Sequence, residues 1–368
     1  MGNITDDIRQ HFDTFAELPF TEADSLALSQ LAYARMPDNV PRYHENAETA
    51  DGMIATVPIH DLLRAECYDD MFGKVWSPSM NVDLLRAMSE SPRWRNLRVG
   101  AYVDEFDAET TKQFSACVFE LGNGTLYVAF RGTDSSIVGW KEDFMMAFRR
   151  PVASQEAAAR YLTELAGHWA GPIMVGGHSK GGNLAVYAAA NVPSEIQERI
   201  TVVYSHDGPG FDEAFFDEDG YVRIASKIHK SVPGSSIIGM LFETREHVED
   251  GYTVVSSMQH FALHWQVDHG QFVQADGLTS SAQYLARTIN GWMAKYDDEH
   301  RRKFIENLFA IFEAGGYDTF GDLTSHLTQS LPIMLAAARN IDVEDRDVMI
   351  EVLKGFAATA AASVILAK

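Results

Sequence analysis

Hydrophobic residues along the chain follow two different periods. A period of two marks the segments 97–106, 113–121 and 125–130, and polar turns at 107–110 and 122–124 separate them. This pattern predicts a meander of three strands. Further along, short apolar segments alternate with helical ones; the predicted strands are 173–175, 200–204, 224–232 and 252–255, and a predicted helix covers 154–169. The alternation predicts an α/β fold with a mostly parallel central sheet covered by helices.

A helical period dominates both ends of the chain. Thr21 followed by Asp24 is typical of a capping box at a helix start, and two further helices are predicted over 59–68 and 81–89. The apolar positions that predict C-terminal helices are Phe304, Leu308, Phe309, Phe312, Met349, Ile350, Leu353 and Phe356. We therefore expect three regions. These are a helical lead-in and candidate cap (1–96), an α/β core (97–278) and a C-terminal helical segment packed on the core (279–368).

Composition narrows the classes of partner. Acidic residues outnumber basic residues by 52 to 30, and the net charge is −22. This balance argues against nucleic acid or an anionic membrane as the binding partner, since both bind clustered Lys and Arg. Cys67 and Cys117 are too few for a disulfide framework. Residues 1–7 lack a secretory signal and the apolar stretch 356–367 is too short to span a bilayer. We expect a cytoplasmic protein without an integral membrane segment and without a cofactor; the sequence carries no signal of oligomeric state.

The segment 177–181 has the pattern Gly-x-Ser-x-Gly, with Ser179 at its centre. It lies between a predicted apolar strand and a run of small residues that predicts a helix. This context is typical of the nucleophile elbow, a sharp turn that exposes a serine oxygen at the top of a sheet. Gly177 and Gly181 suit such a turn because a Cβ at either position would collide with a neighbouring element. The alternative is a glycine-rich turn whose serine has no chemical role.

A serine hydroxyl needs a base, and in hydrolases of this architecture an acid and then a histidine follow the serine along the chain. Asp207 is the best acid candidate because it follows the strand 200–204, beside the nucleophile strand; its alternative role is to cap a turn. The candidate bases after Ser179 are His206, His229, His247, His260, His264 and His269. We favour His260, which follows the last predicted strand, and His264 is the second choice.

A metal site is the alternative use of these late histidines. His260 and His264 are four residues apart and, together with Asp268, offer ligand types that zinc accepts. However, Phe261 stands where a zinc peptidase has its glutamate. No metal is predicted.

An oxyanion hole needs two N–H donors at the point where a carbonyl oxygen becomes negative. The residue after the nucleophile, Lys180, is expected to supply one, and a loop after an earlier strand the other. The segment 130–136 fits that loop, and within it Thr133 offers both a backbone N–H and a hydroxyl. The plainer interpretation is an ordinary loop in which Arg131 forms an ion pair.

Several separated motifs resemble the class 3 lipases of the α/β-hydrolase superfamily. FRGTDS at 130–135, followed by Trp140 and Asp143, resembles their oxyanion segment, and GHSKGG at 177–182 resembles their Gly-His-Ser-Leu-Gly-Gly elbow, with Lys in place of Leu. Three longer motifs resemble a poorly characterised bacterial family of lipase-like hydrolases more closely. These are HSKGGNLA at 178–185, DGPGF at 207–211, and SMQH at 257–260 followed by Trp265. The resemblance covers roughly residues 20–275. It implies an α/β-hydrolase core with Ser179 as nucleophile, His260 as base, and Thr133 and Lys180 at the oxyanion hole.

One position departs from that pattern. Class 3 lipases carry their acid in an Asp-x-Val-Pro stretch, and the comparable segment here, 230–233, begins with Lys230. We therefore expect Asp207, one strand earlier, to replace that acid. Glu243 and Asp250 are the fallback acids.

The leading hypothesis is a lipase- or esterase-like serine hydrolase that cleaves a carboxylic ester through an acyl-enzyme intermediate. Its catalytic residues are Ser179, Asp207 and His260, and the resemblance alone implies a small-molecule acyl or lipid-like ester as substrate. One alternative is an amidase or peptidase with the same triad. Another is a catalytically silent binding protein with a hydrolase fold, which the lysine in place of the expected acid favours.

Overall fold

The structure is a computed structural model that describes residues 2–43, 54–242, 252–257 and 260–317, with isolated positions 333, 336, 345 and 346. Its strands are β1 (Thr56–Pro58), β2 (Arg98–Asp107), β3 (Lys112–Glu120), β4 (Leu126–Phe130), β5 (Ile173–His178), β6 (Ile200–His206), β7 (Ile228–Pro233), β8 (Thr253–Val255), β9 (Val267–Asp268) and β10 (Gln271–Phe272). Its helices are α1 (Ile4–Gln10), α2 (Glu22–Leu31), α3 (Tyr68–Phe72), α4 (Pro78–Glu90), α5 (Ile137–Met145), α6 (Ala153–Gly167), α7 (Lys180–Asn191), α8 (Ser194–Arg199), α9 (Glu213–Phe216), α10 (Asp219–Ile224), α11 (Ser280–Lys295) and α12 (Asp298–Ala314).

In the described part of the chain, eight strands form one sheet in chain order from β1 to β8. β1 to β4 pair antiparallel, whereas β4 to β8 pair parallel. β9 and β10 form a separate hairpin. The predicted meander is confirmed as β2, β3 and β4. Parallel pairing brings the carboxyl ends of β4 to β8 to one edge of the sheet, where side chains from separate loops can meet.

β4 shows how the sheet is covered on both faces. Tyr127 and Ala129 belong to one hydrophobic cluster, which includes residues of α2 and α4. Val128 and Phe130 belong to a second cluster, which includes residues of α6 and α7. Because successive side chains of a strand point to opposite faces, the two clusters lie on opposite sides of the sheet. The expected helix-covered, mostly parallel sheet is therefore confirmed.

The helix start predicted near residue 21 is confirmed at α2. The Thr21 hydroxyl oxygen accepts a hydrogen bond from the N–H of Asp24 at 3.2 Å, and the Asp24 carboxylate accepts one from the N–H of Thr21 at 2.9 Å. This capping box satisfies two N–H groups that lack partners inside the helix. Arg93 forms a buried ion pair with the same carboxylate, so the start of α2 is joined to the chain just after α4.

Two predicted elements were wrong in detail. The segment 59–68 is not one helix: two 3-10 turns, Ile59–Leu62 and Ala65–Cys67, precede α3. Leu63 is 41% exposed, so the apolar residues of this segment do not form the continuous buried stripe that a helix needs. The strand predicted over 224–232 begins only at Ile228, where pairing with β6 starts, because the preceding residues form the end of α10 and a 3-10 turn.

The described part of the C-terminal region is helical, as predicted. Phe304, Leu308, Phe309 and Phe312 on α12 are buried in a third cluster, which also contains Trp140 of α5. The predicted apolar positions from Met349 to Phe356 lie outside the described residues. Among the helices that are described, none is long and apolar enough to cross a membrane.

Candidate active site

Ser179 lies on the turn between β5 and α7. Its φ of 59° and ψ of −131° are unusual for a non-glycine residue and mark a strained backbone. A Cβ at Gly177 would lie 2.2 Å from the backbone of Gly181, and a Cβ at Gly181 would lie 2.1 Å from the carbonyl oxygen of Phe130. Glycine at both positions therefore allows the strand, the turn and the helix to approach closely, as in a strand–turn–helix elbow.

Asp207 follows β6, and its side chain meets His260, which lies 53 residues further along the chain. His260 Nδ1 donates a hydrogen bond to Asp207 Oδ2 at 2.6 Å. The carboxylate is fully buried, whereas the histidine side chain is 17% exposed. In a neutral imidazole, a proton on Nδ1 leaves Nε2 with a free electron pair. The two groups that sequence reasoning chose as acid and base are thus brought together.

Residues from the loop after β7 hold the second carboxylate oxygen. Asp207 Oδ1 accepts hydrogen bonds from the hydroxyl of Ser236 and from the N–H of Gly239, the latter at 3.0 Å. Lys230 Nζ in turn donates to the carbonyl oxygen of Gly239 at 2.6 Å. The lysine at the position where class 3 lipases carry their acid therefore anchors the loop that supports Asp207.

Ser179 and His260 open onto one cleft with about 370 Å³ of free space, part of it open to solvent. The described lining residues are Gln30, Tyr33, Val75, Trp76, Thr133, Trp140, His178, Ser179, His260 and Phe261. None of these residues is a Lys, Arg, Asp or Glu. Tyr33, Trp76, Trp140 and Phe261 make much of this lining aromatic.

Thr133 follows the end of β4 and lines the same cleft as Ser179. Among the residues that the structure describes, neither the N–H of Thr133 nor the N–H of Lys180 has a hydrogen-bond acceptor. The hydroxyl of Thr133 differs from the expectation, because it donates to Asp143 Oδ2 at 2.6 Å instead of facing the cleft as a second donor. Arg131 forms the expected ion pair, 3.0 Å from Asp104.

His178, beside the serine, is buried and neutral. Burial, and then the proximity of His260, lower the pKa of His178 to about 3. Its Nε2 donates to the carbonyl oxygen of His260 at 2.9 Å, so its Nδ1 accepts the hydroxyl proton of Tyr33 at 3.0 Å. Tyr33 and His178 therefore hold the backbone from which the His260 side chain projects.

The other candidate bases lie elsewhere. His206 is buried between the hydroxyls of Ser25 and Ser231, at 2.8 and 2.7 Å. His229 contacts Glu22, and His264 ends a 3-10 turn; His269 lies in the β9–β10 turn, and His247 lies outside the described residues.

The fallback acids Glu243 and Asp250 also lie outside the described residues. The metal alternative assumed a helix with His260 and His264 on one face. Residues 262–264 instead form a 3-10 turn. Among the described residues, the group whose ligand atoms lie within 4.8 Å of one another is His11, Asp268 and His269, on the surface.

Sequence reasoning missed the supports of the site. Tyr33, Ser236 and Gly239 belong to no motif, and each reaches the site from a loop distant in sequence. Only Asp143 had a signal, since it stands in the quoted oxyanion segment.

A comparison with known protein families identifies the family to which most of the chain is similar. Residues 88–310, more than half of the chain, match the sequence model of the Mbeg1-like family. The chain belongs to the Mbeg1-like family. This match spans the elbow, Asp207 and His260. Comparison with the curated proteins gave no match.

Several lipases are among the solved structures similar to this Mbeg1-like chain, at low identity. M37 lipase is 16% identical with a TM-score of 0.37, over 64% of this chain and 77% of that one. A triacylglycerol lipase described as having a serine protease triad is 16% identical with a TM-score of 0.34, over 63% and 76%. The native propeptide complex of Rhizomucor miehei lipase is 18% identical with a TM-score of 0.31, over 64% and 79%. The chain has an α/β-hydrolase fold, as its strand order and its elbow indicate.

Proposed function

We propose that this Mbeg1-like chain is a serine hydrolase that cleaves a carboxylic ester through an acyl-enzyme intermediate. The observation that carries the proposal is that a strained Ser179 and a histidine held by a buried carboxylate, His260 with Asp207, line one cleft through Ser179 and His260. A serine oxygen becomes a useful nucleophile only beside such a base. A buried carboxylate on Nδ1 orients the imidazole and stabilises it when it becomes charged.

In the proposed acylation step, the Ser179 oxygen attacks the ester carbonyl carbon while its proton passes to Nε2 of His260. The carbonyl oxygen becomes negative and lies against the N–H groups of Thr133 and Lys180, which have no acceptor in the described structure. His260 then gives the proton to the departing alcohol, and the C–O bond of the ester breaks. Water, activated by the same imidazole, hydrolyses the acyl-serine and restores the enzyme.

The cleft favours an uncharged acyl group. Trp76, Trp140 and Phe261 supply an apolar wall, and the described lining has no Lys or Arg to pair with a carboxylate. Burial of apolar surface gives about 25 cal/mol per Å², so kcat/KM for p-nitrophenyl esters is expected to rise from acetate to butyrate.

The test is hydrolysis of p-nitrophenyl butyrate by the wild type and by Ser179→Ala. We expect at least a 1,000-fold loss of kcat/KM in the variant, roughly the effect of removing a triad nucleophile. Ser205→Ala is the matched control, because it removes a buried serine hydroxyl from β6, one strand away. Equal turnover by wild type and Ser179→Ala would reject the proposal, and faster cleavage of the p-nitroanilide would favour an amidase.

A further inference from the structure

The side chain of Lys180 has no part in the proposed acylation step, yet it is buried and belongs to the residue directly after Ser179. It is 1% exposed. Its Nζ donates to the carbonyl oxygen of Gln113 at 3.1 Å and to Glu142 Oε2 at 3.1 Å, and it lies 3.4 Å from Asp143 Oδ1. The residue directly after Ser179 thus places its ammonium group beside two carboxylates.

The two carboxylates have different surroundings. Glu142 is fully buried and also accepts hydrogen bonds from two backbone N–H groups, of Gln113 at 3.0 Å and Ser154 at 2.9 Å. Asp143 has one neutral donor, the hydroxyl of Thr133. Glu142 therefore has two N–H donors besides the lysine, whereas Asp143 depends on Lys180 for a counter-charge.

The electrostatics agree with a charged lysine. Burial alone lowers the pKa of a lysine, yet the attraction of Glu142 and Asp143 outweighs it and leaves the pKa of Lys180 above its ordinary value. Burial raises the pKa of Asp143 to about 6 even though Lys180 opposes this rise. A buried ion cluster is rarely more stable than well-packed apolar residues of the same size. Stability alone therefore does not explain the lysine, and the lipase elbow quoted above has a leucine there.

We propose that Lys180 is a positioning residue for the oxyanion site, in which its ammonium group neutralises Asp143 and so fixes Thr133. Without this charge, a carboxylate hydrogen-bonded to Thr133 lies next to the point where the substrate oxygen becomes negative, and it opposes that charge. The Asp143 carboxylate also loses its ion-pair partner, and a shift of this side chain would displace Thr133, to which it is hydrogen-bonded. This inference rests on the proposed function, because it assigns the two N–H groups to an oxyanion.

The experiment is a double-mutant cycle. Lys180→Met removes the charge at similar length, and Asp143→Asn removes the need for it, since an asparagine oxygen still accepts the Thr133 hydroxyl. We expect Lys180→Met to lower kcat for p-nitrophenyl butyrate about 10- to 100-fold, less than the loss of a whole oxyanion donor, with KM changed less than about threefold. The affinity for phenylboronic acid, which mimics the tetrahedral intermediate, should fall by the same factor as kcat.

The double variant decides between charge and simple packing. Lys180→Met/Asp143→Asn is expected to recover most of the lost kcat and boronate affinity. If Lys180→Met is too unstable to fold, a folded and active double variant supports the inference in the same way. Wild-type kcat in Lys180→Met, a double variant no better than the single one, or failure of both variants to fold would each overturn it.

A matched control comes from another buried ion pair. Arg93→Met/Asp24→Asn breaks the pair at the start of α2, where both side chains are less than one tenth exposed. It should lower stability while leaving kcat and boronate affinity within threefold of the wild type. A general loss of rigidity would instead affect this control as strongly as Lys180→Met.

Amide hydrogen exchange separates this inference from the proposed function. Peptides that cover residues 131–135 should exchange faster in Lys180→Met than in the wild type and return to the wild-type rate in the double variant. This readout needs no turnover. A wild type without Ser179-dependent hydrolysis would reject the function, whereas unchanged exchange in Lys180→Met would reject the role of Lys180.

Discussion

His206 offers a quantitative test of the buried polar network beside the site. Burial, and then the proximity of His178, lower the pKa of His206 to about 3, from an ordinary value of 6.5. Below pH 6.5 the unfolded chain therefore binds a proton at this histidine that the folded chain does not bind until about pH 3. The stability from this group is complete above pH 6.5 and is lost progressively as the pH falls toward 3.

The magnitude follows from linkage. One proton of difference changes the free energy of unfolding by about 1.4 kcal/mol per pH unit. At pH 5, His206 alone therefore lowers the free energy of unfolding by about 2 kcal/mol relative to its value above pH 6.5. His178, with the same lowered pKa, adds a similar amount. His206→Gln removes one titrating group, so its free energy of unfolding should fall less steeply between pH 6 and pH 4, by about 1.4 kcal/mol per pH unit.

The assay is urea unfolding followed by tryptophan fluorescence at half-unit steps of pH. His229→Gln on the next strand is the control: contact with Glu22 raises the pKa of His229, so folded and unfolded chains both bind this proton below pH 6. Its slope over the same range should equal that of the wild type. Parallel pH profiles for wild type and His206→Gln would show that His206 binds its proton equally in the folded and unfolded chains, whatever the absolute stability of the variant.

Three further predictions address single contacts. Asp207→Asn should lower kcat about 1,000-fold with little change in KM, since an amide favours the wrong imidazole tautomer; stopped-flow ester hydrolysis measures this, and a loss under tenfold would contradict it. Tyr33→Phe leaves Nδ1 of His178 without its donor and should cost about 1–2 kcal/mol of stability by urea unfolding; an unchanged midpoint would contradict it. Burial raises the pKa of the Cys117 thiol while Cys67 is part-exposed, so native protein should react with Ellman's reagent at one thiol; two fast thiols would contradict this.

The fold could be predicted wherever the local pattern was strong. β2, β3 and β4 have alternating residues and polar turns between them, and their bounds were predicted within one or two residues. The 3-10 turns near Ile59 could not be predicted, because an apolar residue such as Leu63 gives the same periodicity whether or not it is buried. The start of β7 depended on pairing with β6, which no local pattern encodes.

The candidate site divides in the same way. Ser179 and Asp207 each follow a strand that the sequence predicts, so their arrival at one sheet edge followed from parallel pairing. The contact between Asp207 and His260 was an expectation from chain order. The roles of Ser236, Gly239 and the buried side chain of Lys180 depend on how loops pack, and a sequence gives no direct signal of such long-range hydrogen bonds.

The central claim is that the Ser179 oxygen is activated by His260. The most direct measurement is the reaction of the full chain with a fluorophosphonate, followed by intact mass and peptide mapping. We expect a single adduct on Ser179 that is absent in Ser179→Ala and forms at least 100 times more slowly in His260→Gln. No adduct on the folded wild type, or one that forms at the same rate without His260, would contradict it.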